Sequence, residues 1–237
     1  MTPPDVQIAS DIDAGALQRF YAEAFPERAA FLGEHWRWLY RVGRFPGIEP
    51  LVLVESGRVV GHAGVIPLLI SRLGQSAPAI WFVDFSILPE FQGKGGGQAL
   101  TAAWMKMCPD RVTFCNENSI KVFRKFGWRE RYDARACSLP LSPPGLLRIF
   151  TPISRAALRP LLFGAPSLNV DPLSDNPTGL SQGMDDQNAT TARVVRDEEW
   201  TRWRLLEHPR RGEHLQTELD GVCAVLRLFT SLGRRRA

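Results

Sequence analysis

Ile87-Leu88-Pro89-Glu90-Phe91-Gln92-Gly93-Lys94-Gly95-Gly96-Gly97-Gln98-Ala99-Leu100 is the stretch that decides the fold of this 237-residue chain. An apolar run, Ile80 to Leu88, reads as a buried strand with one polar group, Asp84, in its middle. Pro89 stops it. Four glycines within the five positions from Gly93 to Gly97 follow, and a helical pattern over Gln98 to Met107 sets Leu100, Trp104 and Met107 on one face. Glycines let the backbone curl until several N–H groups aim at one spot, and a helix N-terminus adds its positive end. The stretch therefore reads as a phosphate cradle built from main chain, with Gln92 and Lys94 beside it. Its bland reading is a flexible glycine turn.

Two well-known phosphate loops are excluded by spacing. No Gly-Lys-Ser/Thr closes a Walker loop, and the sixth position from Gly93 is Gln98 where a dinucleotide fingerprint needs glycine. Working outward, Arg111 to Cys115 reads as a short strand. Asn116 or Asn118 caps a helix carrying Ile120, Phe123 and Phe126 inward, which ends at Gly127; Trp128 to Leu139 reads as a further strand.

Upstream, Asp13 caps a helix whose apolar face is Leu17, Phe20, Tyr21 and Ala24, broken by Pro26. A second helix runs through about Tyr40, with Trp36 and Trp38 as core. Leu51–Glu55 and Arg58–Ile66 form a hairpin around Ser56-Gly57. Leu68 to Leu73 prolong it past a kink at Pro67, and a loop over Gly74 to Pro78 follows.

After Pro140 the texture changes to a Pro-rich entry, an apolar-basic stretch over Leu146 to Phe163 and a polar segment to about Thr191. Two readings of the apolar-basic stretch stand: a helix packed on the domain, or weak peripheral contact with a membrane surface. A late echo of the early segment, Trp203-Arg204-Leu205-Leu206, then Pro209, then Leu215 to Leu228, suggests an incomplete second copy of the helix–hairpin unit. The division expected is 1–139, a connector 140–191, and a C-terminal lobe 192–237, with Arg234-Arg235-Arg236 as a frayed tail.

Composition is that of a globular chain with a sizeable core, and the net charge of +4 is mild and mostly arginine. No motif joins the four histidines, and His62 reads as packed or substrate-lining. Cys108, Cys115, Cys137 and Cys223 share no metal-ligand spacing, so no metal is expected and the thiols read as reduced. Met1 to Ser10 carry neither a basic start nor an apolar stretch, and no run is long enough to span a membrane, so a cytoplasmic location is expected. Interleaved aromatics and nucleic-acid motifs are lacking, so no nucleic acid is expected as partner.

The pattern Gln92-x-x-Gly95-x-Gly97 after a strand ending Ile87-x-Pro89 resembles the pyrophosphate loop of the GNAT (Gcn5-related N-acetyltransferase) superfamily. Asn116, Ser119, Phe123, Gly127 and Trp128 are spaced like that family's second signature. The resemblance covers about residues 5–139. It implies an α/β fold: a mixed, mainly antiparallel, twisted sheet flanked by helices, with a smaller C-terminal lobe or incomplete second repeat. It also implies acetyl-CoA, or another acyl-CoA, as co-substrate, held by Ile87, Leu88, Gln92, Gly93, Lys94, Gly95, Gly96, Gly97, Gln98, Asn116, Ser119 and Phe123. The activity implied is acyl transfer to a primary amine of a small molecule or peptide, with main-chain N–H groups near Ile87 and Leu88 stabilising the thioester oxygen.

The family often has a tyrosine at the place of Phe123 to protonate the leaving thiolate, and Phe123 has no proton to give. Asp84 is the candidate general base, as a lone carboxylate in an apolar strand; its other reading is a structural carboxylate paired with an arginine. Glu117 is the runner-up, with helix-cap duty as its bland role. The alternative function is a CoA-binding sensor or scaffold without turnover, which Phe123 and the short C-terminal lobe favour; the glycine loop and Asp84 favour the enzyme.

Overall fold

The computed structural model describes residues 5–114, 117–130, 171–175, 192–219, 222–227, 229–231 and 234–236. The chain divides into two compact units, Met1–Trp128 with Asp185–Val195, and Arg129–Met184 with Arg196–Ala237.

In the first unit, β1 (Asp5–Ile8) leads to α1 (Ala14–Ala24), α2 (Ala29–Leu39), β2 (Leu51–Glu55), β3 (Arg58–Arg72) and β4 (Gln75–Ile87). Then come α3 (Gly96–Trp104), β5 (Arg111–Thr113) and α4 (Glu117–Lys125). The sheet order is β1-β2-β3-β4-β5, antiparallel except for the parallel β4–β5 pair. Such a mixed, mainly antiparallel sheet with helices on both faces is the architecture expected from the sequence. The side chain of Asp13 caps α1 by accepting from the amide of Ala16 at 2.9 Å. Leu17, Phe20 and Tyr21 turn inward as the helical spacing requires.

Three features of this unit correct the sequence reading. The sequence gives no sign of β1, because a four-residue edge strand carries little pattern of its own. The expected loop over Gly74 to Pro78 does not exist: β3 runs straight through Pro67, and β4 starts at Gln75. Leu73 and Gly74 both have positive φ (50° and 73°), as do Ser56 and Gly57 (50° and 75°). Both hairpins thus close on two-residue turns whose twist matches the strands. Pro67 pairs with Ile80 within the β3–β4 ladder. The helix after the glycines begins two residues earlier than its apolar pattern, since Gly96 and Gly97 carry no side chain to signal it.

Leu51, Leu53, Ala63, Val65, Ile80, Phe82, Ile87, Leu100, Trp104 and Phe123 form one buried cluster between the sheet and α3–α4. Phe82 stacks on Trp104 with ring centroids 4.2 Å apart. On the opposite face lie Leu17, Phe20 and Tyr21 of α1, Leu32 and Trp36 of α2, and Tyr40, all buried. Trp36 is core; Trp38 is half-buried, edge-to-face with Phe31. The strand β7 (Arg193–Val194) pairs with Ile70 and Ser71 of β3, beyond the point where β2 ends.

In the second unit, β6 (Asp171–Pro172) pairs with β8 (His214–Leu219), which forms a hairpin with β9 (Val222–Arg227). The helix α5 (Glu198–Thr201) runs on as a wider turn over Arg202–Leu206. The helix-then-hairpin order of the late echo is therefore present. The expected frayed tail is corrected: β11 (Arg234–Arg236) pairs with β10 (Phe229–Ser231), whose Phe-Thr-Ser run suits a strand. The expected strand Trp128–Leu139 and the apolar-basic stretch 146–163 lie outside the described residues, apart from 128–130, which are neither helix nor strand.

Candidate active site

The site is built on the two irregular ends of one strand segment. Along β4 the register with β3 slips: Gly64 faces Val83, but His62 faces Ser86. Two residues, Asp84 and Phe85, thus oppose Ala63 alone, which is a β-bulge. Asp84 takes φ of 50°, a left-handed conformation uncommon outside glycine that aspartate tolerates better than most residues. A regular strand would put Phe82, Asp84 and Ser86 on one face. The bulge resets the alternation, so Phe82 and Phe85 share the α3 face with rings 5.6 Å apart. Asp84 is turned toward the α1–α2 face instead.

There its carboxylate is nearly enclosed, with 10% of the side chain exposed. The guanidinium of Arg28, at the start of α2, donates to both carboxylate oxygens. The hydroxyl of Tyr40, just past the end of the same helix, donates at 2.9 Å. The main-chain carbonyl of Asp84 accepts from Nδ1 of His62 at 2.9 Å, and Nε2 of His62 lies 3.3 Å from the Tyr21 hydroxyl. Burial raises the Tyr40 hydroxyl well above its usual range, with the Asp84 carboxylate adding to the effect, and burial likewise raises Tyr21. Burial lowers His62, outweighing the opposing pull of Asp84, so the imidazole is neutral. Gly64 makes room for the arrangement: a Cβ there would stand 2.8 Å from both the Val83 carbonyl oxygen and the Tyr40 ring.

At the other end, β4 and β5 part company. Their parallel pairing covers Ile80 to Phe82 against Arg111 to Thr113 and stops there. Beyond Phe82, the β5-side edge of β4 has no strand partner among the described residues. The amide of Leu88 donates to Val60 at 2.9 Å, within the sheet. By strand alternation the N–H and C=O of Ile87 point the other way, to the open edge. The Ile87 carbonyl is met there by the side-chain amide of Gln92 at 2.9 Å, which folds the chain back toward the glycines. Gly93 and Gly95 have φ of 75° and 86° with open space where a Cβ would be. Gly95 is the N-cap of α3, whose first-turn amides lack intrahelical acceptors. Gly96 lies so close to β2 that a Cβ would overlap Leu53, which presses the helix N-terminus onto the sheet.

Of the residues singled out in the sequence, Ile87, Gln92, Gly93, Lys94, Gly95, Gly96, Gly97 and Gln98 gather around this open edge and turn. Leu88 lies beside them, but its side chain is buried and its amide is bonded in the sheet. Lys94 places its ammonium 4.9 Å from the Phe91 ring centroid. Ser119 sits half-buried on α4. Phe123 is in the core against Phe82, Trp104 and Trp128, only 5% exposed. Asn116 lies outside the described residues, as does the side chain of Glu117. Pairing of Asp84 with an arginine was one of its two sequence readings, and Arg28 fills that place, though the sequence did not say which arginine; Tyr40 and Tyr21 as partners of the bulge were missed. The available signal was chemical: a tyrosine on an apolar helix face needs a partner for its hydroxyl, and Asp84 was an unpaired carboxylate in the facing strand. No group of residues suited to a metal occurs among the described residues.

Residues 15–128 match the sequence profile described as Acetyltransferase (GNAT) family. No curated protein matches the chain in sequence. Among solved structures, an acetyltransferase from Trypanosoma brucei is 18% identical, with a TM-score of 0.44 over 57% of this chain and 99% of its own. An aminoglycoside acetyltransferase from an uncultured soil metagenomic sample is 18% identical, with a TM-score of 0.46 over 60% of this chain and 100% of its own. Glucosamine-6-phosphate N-acetyltransferase from Arabidopsis thaliana is 14% identical, with a TM-score of 0.43 over 56% and 97%. The sequence match spans both the bulged strand and the glycine turn, and the chain carries, at residues 15–128, a domain of the acetyltransferase (GNAT) family.

Proposed function

We propose that this chain is an N-acyltransferase that moves an acyl group, acetyl first among them, from acyl-CoA to a primary amine. The observation that carries the reading is the open edge of β4 beyond Phe82, lying directly before a glycine turn that starts a helix. The residues present fit CoA. Gly93 and Gly95 leave open space over main-chain amides, and the N-terminus of α3 favours a pyrophosphate. The unpaired strand edge can take the pantetheine arm as a sheet edge takes a peptide. When bound, the thioester supplies an activated acyl carbon whose leaving group is a thiolate.

The chain's own groups would then act as follows. The amide of Ile87 faces the open edge and serves as donor to the thioester oxygen as it gains charge. Asp84, between Arg28 and Tyr40, takes the proton that the attacking amine must lose, directly or through one water. Phe123 gives no proton to the leaving sulfur; a thiol of pKa about 8.5 leaves without one. The acceptor is an amine on a small molecule or peptide, approached from the α1–α2 face onto which Asp84 is turned.

Titration calorimetry with acetyl-CoA, set beside thiol release over a panel of amines, tests the reading. Micromolar binding with thiol released for at least one amine supports it. Binding without release on any amine makes the chain a CoA-binding sensor, and no binding removes the proposal.

A further inference from the structure

We infer that His62 is a positioning residue, whose Nδ1–H bond to the Asp84 carbonyl holds the β4 bulge in the form that turns the Asp84 carboxylate toward the acceptor face. The inference rests on the acyl-transfer reading of the site, and it starts from a group that reading leaves unused. His62 is fully buried on β3, caged by the rings of Tyr21, Tyr40, Phe20 and Phe25 at centroid distances of 5.4, 5.5, 6.1 and 6.4 Å. A bulge leaves main-chain groups of its extra residue outside the strand ladder. The carbonyl of Asp84 is such a group, and a buried carbonyl needs a donor. The imidazole supplies it at 2.9 Å.

The partners fix the tautomer. A carbonyl only accepts, so Nδ1 carries the hydrogen, and Nε2 of the neutral ring accepts from the Tyr21 hydroxyl at 3.3 Å. Burial keeps the ring neutral, so each nitrogen holds one role. Asp84 at φ 50° is in a region that aspartate tolerates but does not prefer, so contacts from its surroundings help to hold it there. What the bond prevents is concrete. Removing the bulge restores period-2 alternation and carries Asp84 toward the face of Phe82 and Trp104, away from Arg28 and Tyr40. His62 therefore acts through Asp84, without itself touching the reacting atoms.

Asn places an amide N–H where Nδ1 stands, whereas Gln reaches toward the Nε2 position, so the two substitutions separate the bonds of the ring. His62→Gln and His62→Leu are expected to lower kcat by about 100-fold, the cost of a displaced catalytic group. Acetyl-CoA affinity and the KM for the amine should stay within about 3-fold of wild type, because kcat alone reports the placement of Asp84. His62→Asn is expected to recover most of the loss. Adding His62→Gln to Asp84→Asn should cost little further, since both remove the same function.

Nitrogen-15 NMR of the imidazole in the wild-type protein gives a reading that needs no variant: the Nδ1–H tautomer is expected. An Nε2–H tautomer overturns the inference. So does a wild-type kcat in His62→Gln, or equal losses in His62→Asn and His62→Gln. If the wild type itself releases no thiol, the acyl-transfer reading has failed and the inference goes with it, a result visible before any variant is made.

Discussion

The bulge at Asp84 and the turn from Gly93 to Gly97 are both departures from regular structure with positive φ, ten residues or so apart, yet opposite kinds of residue build them. The turn uses glycine, for which the left-handed region carries no steric penalty, and around Gly93 and Gly95 a Cβ would meet nothing within 4 Å. Its shape is local, and its open space is what a ligand needs. The bulge uses an aspartate held by Arg28, Tyr40 and His62, which lie 22 to 56 residues away. Its shape is imposed from outside, and those groups leave the carboxylate nearly enclosed. The turn is thus suited to binding and the bulge to chemistry, and the two should fail separately.

Asp84→Asn makes the sharpest test of that separation. The amide is isosteric, tolerates the left-handed backbone, and can still accept from Tyr40, but it takes no proton. We expect kcat to fall by about 10²–10⁴-fold, the usual worth of a general base, with acetyl-CoA affinity unchanged. Steady-state kinetics and calorimetry on the same preparation check it; a loss of affinity would join the two regions into one. Gly95→Glu is the reverse experiment. It forces a side chain onto φ 86° and sets a carboxylate at the N-terminus of α3, where the proposed pyrophosphate would lie. Affinity for acetyl-CoA should drop by about 100-fold, or about 2.7 kcal/mol, while the unfolding transition of the protein stays cooperative. Retained affinity would reduce the turn to a connector.

Gly64→Ala attacks the bulge through its packing. The new Cβ meets the Val83 carbonyl, which is backbone and cannot rotate aside, as well as the Tyr40 ring. We expect about 1–3 kcal/mol of lost stability in thermal or denaturant unfolding, accompanied by lower kcat. A neutral outcome would mean that the bulge is softer than its contacts imply.

The same contrast explains what the sequence made legible. The glycine turn, the helix behind it and the strand in front could be read directly, because a permissive residue is itself the signal and Pro89 marks the end of the strand. The hairpin at Ser56-Gly57 was legible for the same reason. The hairpin at Leu73-Gly74 was hidden, because Leu73 at positive φ is not a turn residue by habit and Pro67 and Pro78 suggested a break. Asp84 was legible as an unusual residue, but not its setting. A bulge that sets Asp84 and Phe85 against Ala63 of another strand has no local pattern, and period-2 reading places Asp84 on the wrong face. Phe123 shows a different limit: a motif position says nothing of burial, and its ring packs in the core.

The smallest effect concerns the charge state of His62. Its neighbours that carry or can carry charge are Asp84, Arg28, Tyr21 and Tyr40. The carboxylate favours a proton on the ring, Arg28 opposes it, and burial opposes it most, so the folded pKa lies below the unfolded value. Above pH about 6.5 the ring is neutral in both states and contributes no pH dependence. As pH falls below that value, the unfolded chain binds a proton that the folded chain refuses, so stability declines until the folded pKa is reached. The slope is at most about 1.4 kcal/mol per pH unit for one group. Burial first, and then His214, lowers His208 to about 4, so the second unit adds a slope of the same sign. The comparison that isolates His62 is therefore wild type against His62→Asn, which has no proton to exchange. Between pH 6.5 and 5.5, denaturant unfolding should show wild type losing up to about 1 kcal/mol more than the variant, because the unfolded ring is only half protonated at the upper end. Parallel slopes would mean that His62 takes its proton as readily folded as unfolded. An imidazolium has no lone pair to accept from Tyr21, and the bulge would then be held by a charged ring in an apolar cage, where burial should prevent it.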